Sequence, residues 1–171
     1  MERQSELSRM IARLSSQERM IDWAIDAIQE RPGVVLEIGL GKARTFDHLK
    51  CHLPDHQIIA FDFELHAPKR LIEPTDQLEF GDFQESLERV REQLAGQVVL
   101  AHADTGTTDP ARDAAQSQWL GPKIAALMAP GGLILSDREL NLPAATKLDP
   151  DLTLAFPYFV WQTNELTGLG S

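Results

Sequence analysis

The residues best placed to do chemistry lie in the run Val34-Val35-Leu36-Glu37-Ile38-Gly39-Leu40-Gly41-Lys42-Ala43-Arg44-Thr45. Gly39 and Gly41 let the chain turn tightly and let a ligand approach the backbone. A helix starting after such a turn aims free N–H groups and its positive dipole end at whatever sits there. Glu37, in the strand just before the turn, sets the sign of that ligand. It repels a pyrophosphate and attracts a cationic or amino-bearing group. A dinucleotide fingerprint needs a third glycine, and that position falls at Arg44.

Three further acids follow at strand ends. Asp62 closes Gln57-Ile-Ile-Ala-Phe-Asp62, about 20 residues after the glycine turn, where a carboxylate accepts from two vicinal ribose hydroxyls. Glu64 is the near alternative, and such an acid does not distinguish one nucleoside cofactor from another. Asp82 follows Gly81 and precedes Phe83; with Glu85 it also reads as a capping box. His102 and Asp104 end the next strand and share a face by alternation, which makes them the candidate general bases.

Alternating helices and strands must hold these groups. Leu7, Met10, Ile11 and Leu14, then Ile21, Ala24, Ile25 and Ile28, recur at helical spacing. Ser15 with Glu18 predicts either two helices or one with a break near Ser15. Strands are predicted at 34–38, 57–62, 78–83, 97–103, 133–137 and 156–162, with helices between them. The helix begun by Asp109-Pro110 is expected to break at Gly121-Pro122, and Pro130-Gly131-Gly132 reads as a turn. Trp23 lies off the main apolar stripe and is expected to pack on the sheet. Residues 65–75, with Pro68 and Pro74, read as a loop.

The run V-L-E-I-G-x-G resembles motif I of class I S-adenosylmethionine-dependent methyltransferases. Gly81-Asp82 resembles that family's third motif, Asp104 stands at its fourth, and Pro130 to Asp137 resembles its passage into the fifth strand. The resemblance covers roughly residues 20–140. It implies an α/β fold: a Rossmann-like, doubly wound, mostly parallel sheet with helices on both faces, preceded by N-terminal helices. It implies S-adenosyl-L-methionine as cofactor, held by Glu37, Gly39, Leu40, Gly41, Asp62, Phe63, Gly81, Asp82 and Phe83, with Asp104 and His102 as catalytic candidates. Asp104 and Asp137 also resemble the aspartates that bind a divalent ion in catechol-type O-methyltransferases. That subfamily has Asn after the second aspartate, and Arg138 here argues against an ion, so no metal is expected. His48, His52, His56 and Cys51 are read as a solvated helix end, because Pro54 breaks their spacing.

The chain has 171 residues and 43% apolar content, enough for one domain with a core. We read 1–31 as a helical cap and 32–171 as the cofactor-binding core. A net charge of −10, from 16 basic and 26 acidic residues, argues against a nucleic-acid backbone as main partner. The single cysteine points to a reducing compartment. No leader-like or membrane-length apolar run is seen, so a cytoplasmic location is expected. With no inserted substrate domain, a small-molecule acceptor is expected, and no Asn-Pro-Pro-Tyr signature of amino methylation follows the fourth strand to name the acceptor atom. The apolar N-terminal faces suggest a homo-oligomer. A nicotinamide-dependent oxidoreductase and a non-catalytic cofactor-binding module are the alternatives.

Overall fold

The computed structural model describes residues 4–164, so the outermost ends of the predicted domain lie outside the described residues. Helix α1 (Glu6–Ile28) precedes β1 (Val34–Ile38), α2 (Arg44–His52), β2 (Gln57–Asp62) and β3 (Gln77–Phe80). Helices α3 (Phe83–Arg89) and α4 (Arg91–Leu94), β4 (Val98–Ala103), α5 (Pro110–Ala125), β5 (Met128–Ser136), β6 (Ala145–Leu148) and β7 (Phe159–Thr163) complete the chain. One seven-stranded sheet runs β3-β2-β1-β4-β5-β7-β6. Strands β1 to β5 pair in parallel, and β7 lies antiparallel between β5 and β6.

The sheet is apolar on both faces, as a covered parallel sheet must be. On one face Val35, Leu100, Leu133 and Leu135 pack on Ile21, Ala24 and Ile28 of α1 and on Leu49 of α2. On the other, Leu36, Ile38, Phe61 and Ile134 pack on Phe83 and Leu87 of α3 and on Leu120 and Ile124 of α5. Trp23 is partly buried against the cluster that α1 and α2 form with this sheet face. Strand order reverses between β1 and β4, and in open sheets ligands bind beyond the carboxyl ends at such a switch.

Several local expectations are corrected. Helix α1 runs unbroken through Ser15. Its cap is Ser5, whose hydroxyl accepts from Ser8 N at 3.1 Å. A strong apolar stripe on both sides outweighs a mid-chain capping box, since an internal break would orphan backbone groups. Ser16 instead accepts from Ala155 N and Phe156 N at 3.1 and 3.0 Å, tying the approach to β7 onto α1. Helix α5 likewise continues through Pro122. The N–H that proline lacks would have bonded Gln118 O, and Asn141 Nδ2 fills in there at 3.4 Å. Pro130-Gly131-Gly132 lies inside β5, where the pairing with β4 shifts register, rather than in a turn before it.

The predicted helix after Asp82 divides at Val90 into α3 and α4. The edge strand β6, rich in polar residues, was not predicted. Residues 65–75 hold only a 3-10 turn at Lys69–Leu71. Among the described residues no helix is long and apolar enough to cross a membrane.

Candidate functional site

Glu37 of β1 and His102 of β4 are register partners across the switch in strand order. Adjacent strands direct such partners to the same face, here the face covered by α1 and α2. Both side chains have no solvent exposure. His102 Nδ1 lies 2.7 Å from Glu37 Oε2. Thr45 Oγ1 donates to Glu37 Oε1 from the first turn of α2. The other imidazole nitrogen bonds the Tyr158 hydroxyl. Glu37 therefore stands beneath the rim rather than open on it, with both carboxylate oxygens bonded within the protein. It braces the glycine loop against β4 and α2.

Burial alone pushes His102 down. The charge and hydrogen bond of Glu37, with the Asp104 and Asp137 carboxylates behind it, outweigh burial and hold it above its ordinary value of 6.5. Burial, and next the Asp104 charge, push the Tyr158 phenol well above 10.0, so it stays protonated.

The loop above is shaped by glycine. Gly39 has φ +95°, and a Cβ there would lie 2.3 Å from Asp104 O. This close approach seats the loop on the end of β4. Gly41, at φ +50°, faces open space instead. Ala43, with φ 59°, sits in the left-handed region before α2, and no side chain caps that helix. The free N–H groups of its first turn are left toward the loop.

On the β2/β3 side the rim is an open cup. Asp62 Oδ2 accepts from Gly41 N and Oδ1 from Phe63 N, both at 2.7 Å. The carboxylate thus clamps the loop while its remaining lone pairs stay on the rim. Phe63 is 46% exposed and meets buried Phe83 with ring centroids 4.9 Å apart. Gly81, at φ +120°, also has open space where a side chain would be. Asp82 caps α3 through Gln84 N at 2.8 Å, the capping role its spacing predicts. Leu40 is buried beneath the loop against Phe46 and Ala60.

On the β4/β5 side Asp104 is roofed by α1. Arg13 Nη2 donates to both Asp104 oxygens at 2.8 and 2.9 Å, and Gln17 Nε2 to Oδ2 at 2.8 Å. Arg138 pairs with Asp137 at 3.0 Å and with Asp113 at 2.9 Å. Burial and the neighbouring Asp104 raise Asp137 against the pull of Arg138.

His102 and Asp104 are thus brought into one network, as their shared face predicts. Arg13, Gln17 and Tyr158 were not singled out by the sequence reading. An Arg-x-x-x-Gln pair on one helix face was their one available signal. His48, His52 and His56 are engaged separately, with Asp22, the His48 carbonyl and the Arg31 carbonyl. Cys51 is exposed.

Beyond the rim, α1 and α2 enclose a cleft of about 320 Å³, lined by Ile11, Leu14 and Ile21 from one and Arg44, Thr45 and His48 from the other. Leu7 and Ile11, 71% and 56% exposed, carry its apolar surface outward.

Comparison with known proteins fits this geometry. The model of a family described as S-adenosyl-L-methionine methyltransferase matches residues 4–159. No curated protein matches the chain in sequence. Among solved structures, an S-adenosyl-L-methionine methyltransferase from Silicibacter pomeroyi is 29% identical with TM-score 0.84, covering 93% of this chain and 99% of that one. The MycE methyltransferase of mycinamycin biosynthesis, solved with Mg, SAH and mycinamycin VI, is 15% identical with TM-score 0.59, over 95% of this chain and 49% of its own. A variant of the 16S rRNA (adenine(1408)-N(1))-methyltransferase from Catenulisporales acidiphilia, solved with SAM, is 12% identical with TM-score 0.53, over 82% and 90%. These last two share the fold alone. The family match spans the buried pair, the open cup and the helix roofing them, and the chain belongs to the S-adenosyl-L-methionine methyltransferases, enzymes that draw their methyl group from that cofactor.

Proposed function

We propose that this methyltransferase acts on a small molecule admitted between α1 and α2, with the cofactor lying across the glycine loop and the β2/β3 cup. The cleft carries the acceptor half of this reading. At about 320 Å³ it has the size and largely apolar walls of a small-molecule site. Its inner wall includes Thr45 and Gln17, which bond Glu37 and Asp104. A net charge of −10 disfavours an RNA acceptor. Family membership removes the nicotinamide-dependent and non-catalytic alternatives.

The donor set fits the cofactor. Asp62 has lone pairs left for two vicinal hydroxyls once Gly41 and Phe63 are served. The exposed face of Phe63 offers a stacking surface for adenine, and open space at Gly41 and Gly81 lets a nucleoside reach the backbone. Asp82 and Phe83 close the adenine end of the cup. Gly39 and Leu40 set the loop that faces the methionine portion, and Glu37 supports it from beneath.

The bound cofactor supplies a methyl group on a sulfonium cation, ready for in-line displacement. The protein's task is alignment, exclusion of water and receipt of a proton. Asp104 is the acid at the rim that takes the acceptor's proton or holds its cationic end. Arg13 is its counter-charge and yields it when the acceptor arrives. His102 has no solvent exposure and both ring nitrogens engaged, so its part in the reaction passes through its neighbours.

The test is transfer of labelled methyl from S-adenosyl-L-methionine into fractions of a cell extract. Label in the low-molecular-weight fraction is the expected outcome, reduced by Ile11→Arg in the cleft wall. Label in RNA or protein would overturn the small-molecule reading.

A further inference from the structure

Tyr158 and Gln17 lie between the two acids that the cofactor loop and the acceptor use, and proton accounting gives them a role. Thr45 Oγ1 donates to Glu37. His102 Nδ1 stands 2.7 Å from Glu37 Oε2, and its other nitrogen bonds Tyr158 Oη. Gln17 Nε2 stands 3.5 Å from Tyr158 Oη and 2.8 Å from Asp104 Oδ2. A carboxylate only accepts. Glu37 therefore fixes the hydrogen on His102 Nδ1, and Asp104 fixes the amide NH₂ of Gln17 toward itself. The same NH₂ faces the Tyr158 oxygen, so the Tyr158 hydrogen points away from Gln17, and His102 takes it when its Nε2 is unprotonated. In the neutral imidazole that nitrogen is the acceptor of the Tyr158 hydrogen. With His102 neutral, each link has one consistent direction.

We infer that Tyr158 is a positioning residue: by donating to His102 it holds the Gln17 amide in the one orientation that bonds Asp104 at the rim. This deepens the proposed function and rests on Asp104 being the working acid. Protonation of His102 reverses the order. His102 Nε2 becomes a donor, and the Tyr158 hydrogen turns toward Gln17, donor against donor. The amide then withdraws or rotates, and rotation sets its carbonyl against Asp104. Asp104 loses its Gln17 bond in either case and keeps only the Arg13 contact to α1, two links from the proton added.

The groups bearing on His102 are Glu37 of β1, Asp104 at the end of its own strand, Asp137 at the end of β5 and Tyr158 before β7. Arg13 and Gln17 of α1 stand beyond it on Asp104, and Thr45 of α2 beyond it on Glu37. The carboxylates place the transition above the ordinary histidine value of 6.5.

The experiment is nuclear magnetic resonance on the full chain, following the His102 ring nitrogens and the Gln17 side-chain amide from about pH 5 to about pH 9. Gln17→Glu assigns the amide signal. In the parent protein the Gln17 amide should shift with the same midpoint as His102, and His102 should carry its hydrogen on Nδ1 above that midpoint. In Tyr158→Phe, His102 should still titrate while the Gln17 amide loses its shift. A Gln17 signal that stays flat through the parent's His102 titration overturns the inference, as does an equal shift in Tyr158→Phe. A His102 doubly protonated across the range overturns it too. The parent arm decides alone if Tyr158→Phe does not fold. Calorimetry with S-adenosylhomocysteine separates the two readings. Binding with a flat Gln17 signal sinks only the positioning role, whereas no binding at any pH counts against the proposed site and leaves the magnetic resonance result standing.

Discussion

The two sides of the rim solve opposite problems. Across the β1/β4 switch, Glu37, His102, Tyr158 and Gln17 form a largely buried chain linked by hydrogen bonds within the protein. Across the β2/β3 cup, Phe63 lies exposed and the space beyond Gly41 and Gly81 is open. The first is finished before any ligand arrives and acts by holding backbone and Asp104 in place. The second has polar and aromatic capacity to spare. Substitutions in the buried chain should therefore register mainly as stability, and substitutions in the cup mainly as affinity.

The largest effect is expected from His102→Ala. It leaves the buried Glu37 carboxylate with Thr45 as its remaining partner, and taking one partner from a buried ion pair costs about 3–5 kcal/mol. A denaturant midpoint measures it, and a loss under about 1 kcal/mol would break the comparison. Asp62→Ala should instead weaken S-adenosylhomocysteine binding by about 10- to 100-fold, as expected when charge-assisted hydrogen bonds to two hydroxyls are lost. Its effect on stability should stay near 1 kcal/mol or below, about the worth of the bonds it gives Gly41 and Phe63. Calorimetry and a melt on the same sample check both.

Phe63→Ala should cost about 1 kcal/mol of binding from lost stacking and almost no stability, since the ring is already 46% exposed. A melting temperature lowered by as much as that of His102→Ala would show that the cup is structural after all.

The smallest and most diagnostic effect is a pH slope. The folded-state value of His102 is raised, so its contribution to stability is fully present below the unfolded value near 6.5 and is lost as pH rises through the folded value. Stability should decline on that rise in the parent protein. The decline should vanish when His102 and Glu37 are replaced together by apolar residues. Tyr158 adds a loss of the same sign only beyond 10.0, where its unfolded form ionises.

Much of this molecule is legible in one dimension. The strand–turn–helix run at residues 34–45, the acids at Asp62, Asp82 and Asp104, and the apolar periodicity of α1 each depend on neighbours a few positions away. Sequence spacing carries that information. Local rules failed where tertiary contacts supplied what the chain lacked. Pro122 did not end α5, because Asn141 attends to the carbonyl the proline frees. Ser15 did not end α1, because sheet and helix pack along its continuation.

The role of Glu37 shows the division most plainly. The sequence by itself determined that an acid precedes the glycine turn, that the turn needs glycine and that acids stand at the ends of the strands. Whether that acid stands open on the rim or lies beneath the loop was decided by register. Strand β4 sets His102 opposite Glu37, 65 residues away in sequence, and the segment before β7 brings Tyr158 onto the same imidazole. A buried carboxylate is tolerable only with partners, and its partners here come from β4 and α2. Arg13 and Gln17 likewise became site residues only because α1 crosses the carboxyl end of the sheet, a placement fixed by the burial of Ile21, Ala24 and Ile28 at its other end.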